Sequence, residues 1–529
     1  MTHLGDWQTA ILRAAAAFGL LLSIACSSEP EEPTLSGEPS RSVTQGGPQD
    51  IGQFRRIVET NGVPDPELLD EVGFFAEHAV DLPEAECGHA VCVHPMLAVA
   101  PRFDGGNWSM AFVGLNTAVD PATLPERPRH LIVIAEGLNT PPDYPLPSFA
   151  DVAEVIAQAL SPEDRVSVVF TYSPPILGHV AEKPSAIATT EFPEWPPSSE
   201  PRPNPSPQPY EALVIAGDIA RRSELSEYGH RVLWFTRGNL GGIRSPERYR
   251  GLAEDLAEAE VAITVFGMGR GYRREVPAAI ADITSGNHYY AESPTDLIAA
   301  VKTEAETGFL PLARDLELSF EAAPGYRIGN VYGARRAVVS GNTARLMTPT
   351  VFIGARKGST DVGSGRRGGG GGFFVEFLAD AEPGARSPAP ADVFTLTTRY
   401  EDARTGERVE QSSTLSTPLG VGQSPAPEEP FFSDPEHAKP FMMLNLYLAL
   451  RAQVTLFQAG DCAGALAIEP MMAPVYDAWK SSFDDPDIDA DFTLSTRLSH
   501  TISRLCARVA PAPPFDFGGG CMYPSLRFW

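Results

Sequence analysis

Few residues in this chain sit at spacings that could do chemistry. The densest group is Cys87-Gly88-His89-Ala90-Val91-Cys92-Val93-His94, where two thiols and two imidazoles fall within eight positions. That pattern fits either a metal site or a short disulfide loop. Asp484, Asp485, Asp487, Asp489 and Asp491 form an acidic run with the alternation of a calcium loop. Ala490 stands where such a loop needs Gly, however, and Thr496 stands where it needs a closing Glu. A solvated helix start is the expectation for the run. GMGRG at 267–271 follows a strand-like segment but completes no phosphate fingerprint. The GGGGG run at 368–372 reads as a loop whose neighbours Arg366 and Arg367 could touch anions. The chain contains no Gly-x-Ser-x-Gly elbow, HExxH helix or Walker loop, and its ten histidines are scattered. The sequence predicts no enzyme and no cofactor.

Elements must position whatever remains, and composition bounds them. At 529 residues the chain exceeds one ordinary core, so several domains are expected. Its net charge of -27 repels phosphate backbones and argues against nucleic acid as a partner. The same surplus of carboxylates raises divalent-cation binding as a first suspicion.

Residues 1–25 read as an address. Arg13 precedes the apolar run Ala14–Ala25, which is too short to span a bilayer. It ends in Leu22-Ser23-Ile24-Ala25-Cys26, which resembles the bacterial lipoprotein cleavage motif, with Ser23 where Leu is usual. The resemblance implies cleavage before Cys26 and lipid on that residue, palmitate included. Each buried CH₂ contributes ~0.8 kcal/mol, so the acyl chains would hold the protein on a membrane. Ser27, by analogy with sorting rules, suggests the outer membrane of a bacterial cell envelope. An ordinary secretory signal with a chance Cys is the alternative. Residues 26–50, poor in apolar side chains, are expected to be a flexible linker. In an exported chain Cys87 and Cys92 are expected to form a local disulfide, and Cys462 and Cys506 could staple two helices. Cys521 is then left over.

Further along, residues 51–128 carry two helical segments and the strand-like runs VHPMLAVAP and WSMAFVGLNTAV. From 129 to 309 apolar strands (HLIVIAE, RVSVVFTY, HRVLWFT, VAITVFGMG and a short strand at 288–291) alternate with amphipathic helices. Such alternation predicts an α/β, doubly wound, mostly parallel sheet covered on both faces. The insert from about 173 to 209 is expected to be a proline-rich loop. Period-two strands over 310–420 predict an antiparallel β domain, residues 435–510 a helical region, and 511–529 a tail.

The α/β segment resembles a von Willebrand factor A (VWA) domain, and more closely the VWA lipoproteins of bacterial envelopes. The resemblance covers about residues 50 to 420. It rests on SPEDRVSVVFTYS (161–173), HRVLWFTRGN (230–239), VAITVFGMG (261–269) and LARDLELSFEAAPGYRIGNVYG (312–333), with MLAVAP (96–101) similar to the link before the domain. It implies a divalent cation in the crevice at the carboxyl edge of the sheet. The ligands would be an Asp-x-Ser-x-Ser run after the first strand, a Thr in a later loop and an Asp after the fourth strand.

This chain departs at each place. The run reads Glu136-Gly137-Leu138-Asn139-Thr140, and Arg237 stands where the Asp is expected. The loop Thr falls near Ser206 and Pro207, and a register shifted by one offers Ala135, Gly137 and Asn139. A Leu offers no oxygen and an Arg adds positive charge, so the metal site reads as degenerate. Since the family's first and fourth strands are neighbours, Arg237 is expected to pair with Glu136 in place of a cation, the alternative being that both point to water. The leading expectation is a membrane-anchored interaction scaffold or adhesion module. Its metal-independent crevice would contact an unidentified protein of the envelope through Glu136, Thr140, Asn204, Arg237 and Asn239. The alternatives are a structural envelope component whose flanking domains bind partners, and a VWA adhesin that still uses metal.

Overall fold

The computed structural model describes residues 41–105, 107–120, 128–136, 138, 148–190, 208–240, 245–307, 311–334, 336–354, 372–379, 391–417, 431–432 and 438–507. The leader, Cys26, Thr140, Asn204, Arg366, Arg367, Cys521 and the 511–529 tail lie outside them. The first elements are β1 (Arg41–Thr44), β2 (Gly47–Pro48), α1 (Gly52–Glu59), α2 (Glu71–Ala76), β3 (Cys92–Pro101) and β4 (Asn107–Thr117). There follow β5 (Arg129–Ala135), α3 (Phe149–Ala159), β6 (Arg165–Phe170), β7 (Ile176–Glu182), α4 (Pro184–Ile187) and α5 (Pro209–Ala220). Next come β8 (Gly229–Thr236), α6 (Pro246–Glu258), β9 (Ala262–Met268), α7 (Glu275–Ile283), β10 (Asn287–Ala291) and α8 (Pro294–Thr307). The second β series is β11 (Pro311–Ala322), β12 (Tyr326–Tyr332), β13 (Ala337–Ser340), β14 (Thr343–Ile353), β15 (Gly372–Ala379), β16 (Ala391–Asp402), β17 (Arg408–Thr417) and β18 (Phe431–Phe432). Three helices close the described chain: α9 (Ala438–Gln458), α10 (Cys462–Lys480) and α11 (Pro486–Cys506).

The doubly wound sheet has the order β2-β10-β9-β8-β5-β6-β7. Its central strands β5, β6, β8 and β9 are largely apolar because both of their faces are covered. Leu131, Val133 and Ala135 of β5 enter one core with α3 and α8, whereas Ile132 and Ile134 enter the other with α5, α6 and α7. β8 divides in the same way, with Leu233 and Phe235 on one face and Val232 and Trp234 on the other. The period of two thus assigns the apolar side chains of β5 and β8 to one core or the other. Helix α3 starts at a reciprocal capping box between Ser148 and Asp151. Two elements depart from expectation, β7 and the short helix α4, both within the insert read as a loop. The segment ILGHVAE, expected within a proline-rich loop, is an edge strand running antiparallel to β6.

The antiparallel sheet draws strands from both sides of this segment. Its order is β12-β15-β4-β1-β14-β11-β16-β17, with β13 on β14, β3 on β4 and β18 on β3. The 51–128 and 310–420 segments therefore share one sheet rather than forming separate ones. Alternation again explains the layering. Ala111 and Val113 of β4 face the β core with Leu318, Phe320, Val375 and Leu396. Met110 and Phe112 face the opposite way, toward α9, α10 and α11. The N-terminal helices join that helical core through Phe54, Val58, Phe74 and Phe75.

Residues 41–48 correct the expected linker to residue 50. Val43 is buried and pairs with Ile353, Arg41 pairs with Thr117, and Gly47 pairs with Asn287 of the parallel sheet. This polar segment is held largely by main-chain hydrogen bonds, which hydropathy does not register.

The acidic run is also only partly solvated. Asp485 caps α11, accepting from the N–H groups of Asp487 and Ile488 at 2.9 and 3.1 Å. Asp491, in contrast, is fully buried. Its carboxylate meets Arg55 at 3.0 Å and His78 at 2.9 Å, and Arg55 also pairs with Glu77. Burying a carboxylate is tolerable only with such partners. The charges bind α11 to the N-terminal helical segment.

Candidate functional site

The crevice lies at the carboxyl ends of β5 and β8, which are hydrogen-bonded neighbours, as expected for the first and fourth strands of the 129–309 segment. Open α/β sheets place ligands at such a switch point, and the order here, leaving β2 aside, is the doubly wound 3-2-1-4-5-6 with its third strand reversed. Glu136 leaves β5 with its N–H still donating to the Phe235 carbonyl at 3.1 Å. Its side chain is only 5 % exposed. Thr236, wholly buried at the end of β8, donates its hydroxyl to Glu136 Oε2 at 2.5 Å. The Thr236 hydroxyl oxygen also accepts from the N–H of Gly238 at 2.9 Å. The main-chain N–H groups of Arg237 and Asn239 donate to the same carboxyl.

Burial pushes the Glu136 carboxyl up to about 7. The Thr236 hydroxyl, the two N–H donors and the positive charge of Arg237 oppose that rise without overcoming it. The donors that hold Glu136 are thus Thr236 and the turn itself, while the Arg237 guanidinium acts on it through its charge. The turn is possible because Gly238 adopts φ +73°; a Cβ there would lie 2.0 Å from the Arg273 carbonyl oxygen. The Arg273 N–H donates in turn to the Arg237 carbonyl at 3.3 Å.

Leu138 decides the fit of a metal. It is 3 % exposed and packs into the core formed with α3 and α8. At the position where a ligand oxygen is expected, the chain buries an apolar side chain. The carboxyl oxygens of Glu136 are occupied by three internal donors, and a cationic side chain stands beside them. A hard cation needs several free oxygens, so these residues do not fit one. Among the described residues no group of three or more His, Cys, Asp or Glu is placed to hold a metal ion.

The structure brings together Glu136, Leu138, Arg237 and Asn239, while Thr140 and Asn204 lie outside the described residues. Glu136, expected among the contact residues, is too buried to touch a partner and instead positions the turn that presents Arg237 and Asn239. Arg237 is half-buried and Asn239 exposed. The sequence reading missed Thr236 and Gly238. The available signal was a hydroxyl ending an otherwise apolar strand, followed at once by Arg-Gly-Asn.

Both expected disulfides are present, Cys87–Cys92 and Cys462–Cys506. At the opposite edge of the sheet, His130 Nδ1 lies 3.2 Å from His230 Nδ1, and its Nε2 lies 2.9 Å from Ser167 Oγ. Burial, reinforced by His230, pulls His130 down to about 3.

No family model matches the chain. One curated relative, "Uncharacterized protein YfbK" of Escherichia coli (strain K12), is 23% identical over 194 residues, which is 35% of this chain. The match spans 32% of that relative's length. Among solved structures, "von Willebrand factor type A from Catenulispora acidiphila" is similar with a TM-score of 0.45 and 13% identity, over 74% of this chain and 87% of that one. The "ArnB paralog VWA2 from Sulfolobus acidocaldarius" is similar with a TM-score of 0.39 and 12% identity, over 78% and 97% of the two chains. The strand order itself carries the fold, a doubly wound sheet joined to an antiparallel sheet and C-terminal helices.

Proposed function

We propose that this chain is a non-catalytic protein-interaction module whose crevice works without a metal ion. The observation that carries the reading is the internal satisfaction of Glu136 by Thr236 and the 237–239 turn, together with the burial of Leu138. A metal in such a crevice would give a partner's carboxylate a cation to bind. Here Arg237 at the rim offers a guanidinium with fork geometry for the same acidic group, and exposed Asn239 adds donor and acceptor capacity. Binding of an acidic partner should survive EDTA and be lost in Arg237→Glu. A photo-crosslinker at position 239 should capture the same partner from native envelope. Loss of capture in EDTA, or micromolar Mg²⁺, Mn²⁺ or Ca²⁺ binding at the crevice by calorimetry, overturns the reading.

The module is further proposed to be lipid-anchored at Cys26 in a bacterial cell envelope, on the outer membrane. The support is the lipoprotein-like motif that ends at Cys26. Metabolic labelling with palmitate should mark the wild-type chain and not Cys26→Ser, which should leave the membrane fraction. Retention of Cys26→Ser there removes the anchor from the proposal.

A further inference from the structure

We infer that Cys87–Cys92 is a thiol–disulfide exchange site that takes a thiol reductant as co-substrate. The two sulfurs are unequal. Cys87 is exposed, whereas Cys92 is fully buried at the start of β3. The main-chain N–H of Cys87 points at Cys92 Sγ from 3.3 Å. An attacking thiolate can therefore reach only Cys87, and the sulfur that must leave already has a donor for its developing charge.

The step balances as follows. A thiolate attacks Cys87 Sγ and forms a mixed disulfide while the Cys87–Cys92 bond breaks, leaving its electron pair on Cys92 Sγ. A second thiolate attacks the outer sulfur, releases the oxidised reductant as its disulfide and leaves Cys87 as a thiolate; Cys87 and Cys92 then take up, through solvent, the two protons that the attacking thiols gave up. Two electrons pass from two thiols to the protein.

The surroundings fit exchange better than stapling. The ring spans a sequence separation of five residues, against 44 for Cys462–Cys506. A loop that short constrains the unfolded chain least. Its neighbour Gly88 has φ +78° with nothing within 4 Å of a Cβ position, and His89 is exposed, so the approach is open. Both ends are held independently of the disulfide. The Val91 N–H donates to Tyr400 Oη at 3.2 Å, and Asn116 Nδ2 donates to the Pro83 carbonyl at 2.8 Å. Reduction thus loosens the exposed residues 86–89 while buried Ala90 and Cys92 keep their places. Exposed Asp81, Glu84 and Glu86 precede the ring, which favours a reductant that carries positive charge beside its thiol.

The test uses the folded full-length chain in buffers of graded glutathione ratio, followed by acid quench, differential alkylation and mass spectrometry. The reduced fraction of Cys87–Cys92 should follow the ratio, the glutathione adduct should sit on Cys87, and Cys462–Cys506 should stay oxidised with unchanged circular dichroism. Cysteamine should react about tenfold faster than the anionic 2-mercaptoethanesulfonate at low salt, and the gap should close as salt is added. A Cys87–Cys92 bond that stays oxidised at every ratio, or an adduct on Cys92, overturns the exchange site. Equal rates for the two small thiols overturn the charge of its reductant.

Discussion

Glu136 makes the stability of this protein depend on pH in a direction opposite to that of most carboxylates. The unfolded chain ionises it near 4.5, while the folded chain holds the proton until about 7. Below 4.5 both states are protonated and the group contributes no difference. Between 4.5 and 7 the unfolded state loses its proton first, so stability falls as pH rises. At about 1.4 kcal/mol per pH unit, the move from 4.5 to about 7 amounts to about 3 kcal/mol. The perturbation is Glu136→Gln, which keeps the shape and removes the titration. The assay is urea unfolding of both proteins at half-unit steps from pH 4 to 8. Other titrating groups cancel in the difference between the two stabilities. That difference should shift by about 3 kcal/mol against the wild type across the window. Arg237→Met removes a charge that favours ionised Glu136, so it should move the inflection to higher pH. Parallel curves, or a wild type that gains on the variant as pH rises, would refute the reasoning.

Other consequences are open to similar measurement. His130 is held neutral in the fold, so stability present above pH 6.5 should drain away as pH falls toward 3. His130→Phe should flatten that acid limb in the same unfolding series. Leu138→Ala should cost about 2–5 kcal/mol by denaturant unfolding, as for other buried leucines. Leu138→Ser should still bind no Mg²⁺ by calorimetry, because Glu136 remains occupied. Opening Cys462–Cys506 with paired serines releases a loop of 44 residues. It should cost about 4 kcal/mol on the loop-entropy scale, read as a lower thermal midpoint.

The parts of this fold that were legible in the sequence are those where a single periodicity names the environment. HLIVIAE and HRVLWFT are apolar at consecutive positions because both faces of β5 and β8 are covered, and the structure begins and ends them within a residue or two of expectation. ILGHVAE was hidden because β7 is an edge strand with Ile176 and Leu177 exposed, so no buried alternation marks it. Residues 41–48 were hidden because their pairing is main-chain pairing in a polar segment. The crevice was half legible. Replacement of the ligands that the VWA resemblance implies could be read from Leu138 and Arg237, and the neighbouring strands from the fold. That Thr236 and two N–H groups would hold Glu136, leaving Arg237 to act by its charge, depends on the turn at Gly238. A turn of that kind is fixed by its packing against Arg273, which lies 35 positions away in the chain.

The short strands at the start of the described chain have a mechanical meaning. β1 lies between β4 and β14, and β2 runs alongside β10, so eight consecutive residues place one strand in each of the two sheets. A chain tethered upstream of residue 41 transmits any pull first to this segment. The load meets β1 first, stretching its hydrogen bonds to β4 and β14 on both sides together, and reaches β2 only through it. Tension strong enough to draw out residues 41–48 would remove a strand from each sheet and leave β4, β14 and β10 each without that partner.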